Sequence, residues 1–237
     1  MSAAPPAYQP VATYDEVVRA DFVTRVYQHL AVAIVAFVAF EALLINLGVA
    51  KSLYDLIAGR GGGAWLLILG GFMIVNWLAT SAAHDILNPS RQYLGLFGLA
   101  AAEAVIFAPF LHYFFRVADD GTTTVVAAAI ITAIGFAGLT VVGMVTRADL
   151  SFIRPIMLWG GVCSLVLIGA ALLFGLELGI WFSVAMIALA GAAILYQTQT
   201  IIRRYPPEAY VGASVQLFAS VMLLFWYVLR LVGFARR

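Results

Sequence analysis

Charge is what this chain has least of. Only 11% of its 237 residues are Asp, Glu, Lys or Arg, and the net charge is +1. A soluble domain of this length needs more charge than that to cover its surface. The near-neutral balance also excludes a basic face for nucleic acid, so no nucleic-acid partner is expected. Cysteine occurs once, as Cys163 inside an apolar run, which rules out an internal disulfide and a cysteine-based metal site. The three histidines show no H-x-x-x-H or H-E-x-x-H spacing. Gly61-Gly62-Gly63 follows no strand, so it reads as a connector and not as a phosphate loop. With no nucleophile–base pair in view either, the chain reads as no enzyme and as needing no cofactor. Residues 1–25 lack the apolar core of a cleavable signal peptide, so the first span is expected to act as its own insertion signal.

What is present is apolar. Hydrophobic residues make up 64% of the chain, and the mean hydropathy is +1.00. Runs about as long as a bilayer is thick recur seven times. The spans read as Tyr27–Val49, Ala64–Ala83, Tyr93–Phe114, Thr123–Val145, Ile156–Phe174, Gly179–Ile202 and Val211–Phe234. Unpaired backbone groups are not tolerated in lipid, so a span is a helix or a barrel strand. Runs of about 20 residues without alternation fit helices and not the shorter strands of a barrel. The expectation is an all-α, seven-helix bundle in one domain, residues 26–237, after a polar tail at 1–25. Its first partner is the lipid bilayer.

The connectors hold breakers at the required places: Gly59-Arg60-Gly61-Gly62-Gly63, Asn88-Pro89-Ser90, Asp119-Asp120-Gly121 and Pro206-Pro207. Trp65, Trp181, Tyr93 and Tyr113 stand near span ends, as interfacial anchors do. In the tail, Pro5-Pro6-Ala7-Tyr8 fits a PPxY ligand pattern. Asp15–Arg25 has the charge and apolar mixture of an interfacial helix leading into the first span. Arginine counting favours the N-terminus on the cytoplasmic side only slightly, and leaves open whether the last span crosses or re-enters.

Three segments carry a resemblance. They are Thr146-Arg147-Ala148-Asp149-Leu150-Ser151 after span four, Leu195-Tyr196-Gln197-Thr198-Gln199 in span six, and Phe225-Trp226-Tyr227-Val228-Leu229-Arg230-Leu231-Val232-Gly233 at the end. With the span count, they make the chain resemble the Bax inhibitor-1 family of membrane proteins. The resemblance implies a seven-helix fold with the last helix central, and a calcium leak closed by two proton-sharing aspartates. It implies Arg147 and Asp149 as a hinge. The two aspartate positions correspond here to Gln197 and Ser220, neither of which titrates near neutral pH.

The acids of this chain stand elsewhere. Glu41 lies in span one and Glu103 in span three, both roughly mid-span. An ionised acid at such a depth costs at least about 2.5 kcal/mol, so it must face the interior, carry a proton or find a partner. One reading makes Glu41 and Glu103 a relocated carboxylate site for protons or cations, with Gln197, Gln199, Asn76 and Ser220 lining a polar path. Carboxylate oxygens suit calcium. The plainer reading is a neutral Glu bonding between helices. Arg230 either snorkels to the interface or pairs with an acid such as Asp149. The expected function is a passive, proton-modulated leak for small cations, calcium among them. The alternative is a non-conducting membrane module that modulates a membrane protein partner such as a protease. A bacterial inner membrane is the expected location.

Overall fold

The computed structural model describes residues 9–60 and 62–235; the Pro5-Pro6-Ala7-Tyr8 motif lies outside them. Eight α-helices follow in order among the described residues, with no strand. They are α1 (Glu16–Asn46), α2 (Val49–Arg60), α3 (Gly62–Ala83), α4 (Pro89–Arg116), α5 (Gly121–Val145), α6 (Ile153–Phe174), α7 (Ile180–Arg204) and α8 (Tyr210–Ala235). Seven of these are long and apolar enough to span a bilayer, all except α2. The protein is a multi-pass integral membrane protein with an all-α bundle. The helix α2 stands in the first connector, where no helix was expected; Gly48, at φ +74°, turns the chain from α1 into it.

The bundle is organised around its last helix. α8 packs against α1, α3, α4, α5 and α7. At 26 residues it is about 39 Å long, enough to cross the whole bundle. Its far end is tied to the α6–α7 connection by Arg230, which donates to the Leu178 carbonyl. The last span therefore crosses and does not re-enter. Around it, α4 packs on α1, α2 and α3, α5 on α4 and α7, and α6 on α3 and α7. Outward faces carry Leu67, Trp77, Ile134, Trp159 and Trp181, as lipid-facing surfaces should.

Local sequence explains the boundaries. Asp15 caps α1 by accepting from the Val18 N–H at 2.9 Å. The lead-in helix expected at Asp15–Arg25 is continuous with span one, since α1 runs unbroken from Glu16. Asn88 caps α4, and Pro89 takes the first helical position, where a missing N–H costs nothing. Gly175, at φ +68°, ends α6 in the left-handed conformation. Ahead of α1, Val11 is buried in the core, and its N–H donates to the Tyr205 carbonyl at 2.7 Å. Part of the expected polar tail therefore seals against the α7–α8 connection.

The interior is not uniform. On the N-terminal side, α1 buries Phe22, Val26, Leu30, Ala33, Phe37 and Glu41, a stripe repeating every three or four residues. Toward the opposite face, Trp226 collects an aromatic cluster: Phe110 at 4.4 Å, Phe107 at 5.0 Å and Trp65 at 6.1 Å between ring centroids. Trp65, expected as an interfacial anchor, is half-buried in that cluster instead. Its span starts close enough to α4 and α8 for ring packing to outcompete the headgroup zone.

Gly95 marks the tightest helix contact. A Cβ there would meet the Ala79 carbonyl oxygen at 2.4 Å and the Ala83 nitrogen at 2.7 Å. Three residues on, a Cβ at Gly98 would meet nothing within 4 Å. Gly95→Val should therefore push α3 off α4 and destabilise by about 1–3 kcal/mol, whereas Gly98→Ala should be neutral or stabilising by up to about 1 kcal/mol. Thermal unfolding of the two purified variants in one detergent checks the contrast.

Candidate functional site

The two positions that correspond to the family aspartates meet. They lie on α7 and α8, and Ser220 Oγ donates to Gln197 Oε1 at 2.9 Å. Two carboxylates at that separation would share a proton. A hydroxyl and an amide instead make a neutral hydrogen bond across the same helix pair.

Glu103 lies at the same depth. α4 and α8 both start from the face that bears the N-terminus. Phe107 on α4 stacks on Phe225 of α8 at 5.5 Å, with the ring planes 9° apart. Glu103 precedes Phe107 by four residues, so it sits about 6 Å nearer the N-terminal face. That is the level of Val221 and Met222, next to Ser220. Glu103 is only 6% exposed. The stripe Leu96, Leu99, Ala100, Glu103, Phe107 places it on the buried side of α4.

Glu41 is in the same interior but at a different level. It is 4% exposed, and neither carboxylate oxygen has a hydrogen-bond partner among the described residues. Phe37 meets Phe107 edge-on at 5.3 Å. Glu41 lies one turn beyond that contact and Glu103 one turn before it. The two carboxylates are thus on the order of 10 Å apart along the axis, with rings between them. They share an interior but form no pair. Among the described residues, no group of three His, Cys, Asp or Glu gathers as a metal site, so a cation meets these acids one at a time.

Other buried hydroxyls extend the polar interior. Thr132 on α5 and Ser183 on α7 have no hydrogen-bond partner among the described residues. A buried polar group left unpaired costs about 1–3 kcal/mol, and in native proteins such groups bind water. Neither residue stood out in the sequence. The signal was there: Thr124, Ala128 and Thr132 recur every four residues on one buried face of α5.

The remaining polar positions hold the scaffold. Gln199 brackets the hinge. Its Nε2 donates to the Ala148 carbonyl at 2.7 Å, and its Oε1 accepts from the Leu150 N–H at 3.0 Å. It is a clamp on the α5–α6 connection and does not line a path. Arg203 adds bonds to the carbonyls of Thr146 and Arg147 at 3.2 and 3.0 Å. Asp149 is fully exposed. The backbone N–H and hydroxyl of Ser151 bond to it and hold its carboxyl below the usual aspartate range, with Arg204 and Arg203 adding to the effect. Arg230 makes no ion pair with Asp149: the two lie at opposite ends of the bundle, and Arg230 is spent on Leu178 O and the Phe234 ring. Asn76 is half-buried on α3, with no hydrogen bond from its side chain among the described residues.

Two features of the N-terminal face were not legible in advance. His84 Nδ1 lies 2.7 Å from the Thr80 carbonyl, which only an N–H can satisfy. A neutral ring therefore offers Nε2 as acceptor to Gln216 at 3.2 Å and to the Tyr205 hydroxyl at 3.3 Å. Burial pushes the Tyr205 hydroxyl up to about 12, so it stays a donor. Beside it, a cleft of about 380 Å³ opens between α1, the α3–α4 turn and the α7–α8 turn. It is lined by Asp21, Arg25, Gln92 and Glu208, with Asp21 and Arg25 paired at 2.9 Å.

Comparison with known proteins agrees with this architecture. No curated protein matches the chain. The family described as inhibitor of apoptosis-promoting Bax1 matches residues 19–237, nearly the whole length and every membrane span. The chain therefore belongs to the Bax inhibitor-1 family, and keeps its central helix while carrying a Gln197–Ser220 hydrogen bond where the resemblance implies two aspartates.

Proposed function

We propose that this protein is a passive leak pathway for small cations, calcium foremost, that runs beside α8 and responds to protonation. The observation that carries the reading is Glu103: a buried acid on α4 at the depth of the Gln197–Ser220 contact. A carboxylate there either holds a proton or balances a passing cation, and a bare charge at that depth is too costly to be retained without a role. Several features support a route through the same interior. The acid-lined cleft at the N-terminal face offers an entrance. Glu41, Thr132 and Ser183 continue the polar lining. The rings around Trp226 form a constriction between Glu103 and the opposite face. The proposed setting is a bacterial inner membrane.

One observation favours a second reading. The Gln197–Ser220 bond contains no titratable group, so it closes α7 on α8 at every physiological pH. On that reading the protein conducts nothing and acts through a membrane protein partner.

Calcium flux into proteoliposomes separates the two. Wild type should leak above empty vesicles, with a rate that changes between about pH 6 and 8. Glu103→Gln should flatten that pH response and change the flux about tenfold, the effect of about 1.4 kcal/mol on the barrier. Absence of flux from folded wild-type protein would sink the channel reading and favour the module.

Restoring both acids is the complementary test. In the double variant Gln197→Asp, Ser220→Asp, two carboxylates would face each other across the present 2.9 Å contact. They should share a proton and add a pH-dependent closure that wild type lacks. A pH profile identical to wild type would count against this site as the gate.

Asp149 gives the control. Its carboxyl is held below the usual range, so its contribution to the hinge is present above the ordinary aspartate pKa of about 3.9 and is lost only as pH falls through its lower folded value. Asp149→Asn should leave the flux profile between about pH 6 and 8 unchanged. A shifted profile would move the proton sensor to the hinge.

A further inference from the structure

The small residues of α5 and α7 do more than let helices approach. They open a groove of about 420 Å³ on the outside of the bundle. One wall is α5 from Ile131 to Leu139, the other is α7 from Ile187 to Leu195, Ile153 of α6 stands at one end, and Leu224 and Val228 of α8 form the floor. A Cβ at Gly135, which lines the groove, would meet nothing within 4 Å. Every lining residue is apolar, and the groove opens to the surroundings of the bundle and not to the interior that holds Glu103.

Its length and its charged end identify what fits. Nine residues on each wall correspond to about 12 Å. A helix of a partner protein would need the whole hydrocarbon thickness of about 30 Å, whereas one lipid tail occupies a single leaflet, about half of that. The Ile153 end lies at the N-terminal face. Arg154 follows Ile153 directly, is exposed, and forms no ion pair among the described residues. Arg147, in the connection just before, is equally unpaired. Asp149 is the one acid in that connection, and its nearest charges are Arg203 and Arg204. An apolar slot one leaflet long, with spare arginines at its mouth, matches one acyl chain below one anionic headgroup.

We infer that the α5–α6–α7 groove holds an acyl chain of an anionic phospholipid from the leaflet at the N-terminal face, with Arg154 engaging its phosphate. The site is independent of whether the protein conducts. A bound tail here covers the side of α8 that α5 and α7 leave open.

Native mass spectrometry of the purified protein, equilibrated with equal amounts of phosphatidylglycerol and phosphatidylcholine of the same chain length, tests this. Wild type should retain one phosphatidylglycerol in about fivefold preference, the effect of one arginine near an anionic headgroup. Arg154→Gln should lose the preference but keep a bound lipid. Gly135→Phe, placed in open space where it need not disturb the fold, should lose the bound lipid of either kind. Equal retention of the two lipids by wild type would overturn the inference, as would retention unaffected by both variants. A lipid-free dimer that Gly135→Phe dissociates would overturn it too, by assigning the groove to a second copy of the chain.

Discussion

α8 is enclosed by other helices on nearly every side, and this sets the terms for the rest of the structure. An enclosed helix in a membrane gains nothing from a hydrophobic drive toward its neighbours, because lipid is as apolar as they are. It is held by close packing and by the few polar groups that would be costly in lipid. Both are seen here. Rings from α1, α3 and α4 close around Phe225 and Trp226 in the half away from the N-terminus. The Ser220–Gln197 bond fixes α7 at mid-depth. His84, Tyr205 and Gln216 tie the entry of α8 to the end of α3, and Arg230 ties its exit to the α6–α7 connection.

That arrangement distributes the polar residues by depth. Glu103 and the Gln197–Ser220 contact share a level, Glu41 lies beyond the Phe37–Phe107 contact, and the charged cleft lies at the N-terminal face. The hinge after α5 is controlled from α7 through Gln199 and Arg203. A movement of α7 against α8 would therefore reach the hinge directly, while Asp149 itself stays at the surface. Replacing the two aspartates by Gln and Ser keeps the cross-helix contact but removes its charge. Among these central polar groups, the proton chemistry then rests with the acids of α1 and α4.

Much of this was open to reading in the sequence, for a simple reason. Hydropathy measures the solvent a segment tolerates, and in lipid each helix satisfies its own backbone, so spans are local properties. The register count back from Arg230 placed Ser220 opposite Gln197 because helical periodicity is also local. Even the inward aim of Glu41 follows from the stripe it shares with Phe30s positions Ala33 and Phe37. Gln199 was misread as lining, since an amide that clamps a connection and one that faces a path look alike in a string of letters. Trp65 was misread as an anchor for a similar reason: proximity to a span end does not say whether a ring meets headgroups or other rings.

The sequence by itself determined that the chain lives in a membrane, how many times it crosses, where the breaks fall and which residues are out of place there. Only the tertiary structure decided which of those residues meet. It put Ser220 on Gln197, kept Glu41 and Glu103 apart, sent Arg230 to Leu178 and opened the groove beside α5 and α7. The physical reason is that a helix fixes the direction and depth of its own side chains. Neighbours are chosen by how helices rotate and tilt against one another, and those angles depend on packing between residues far apart in the chain.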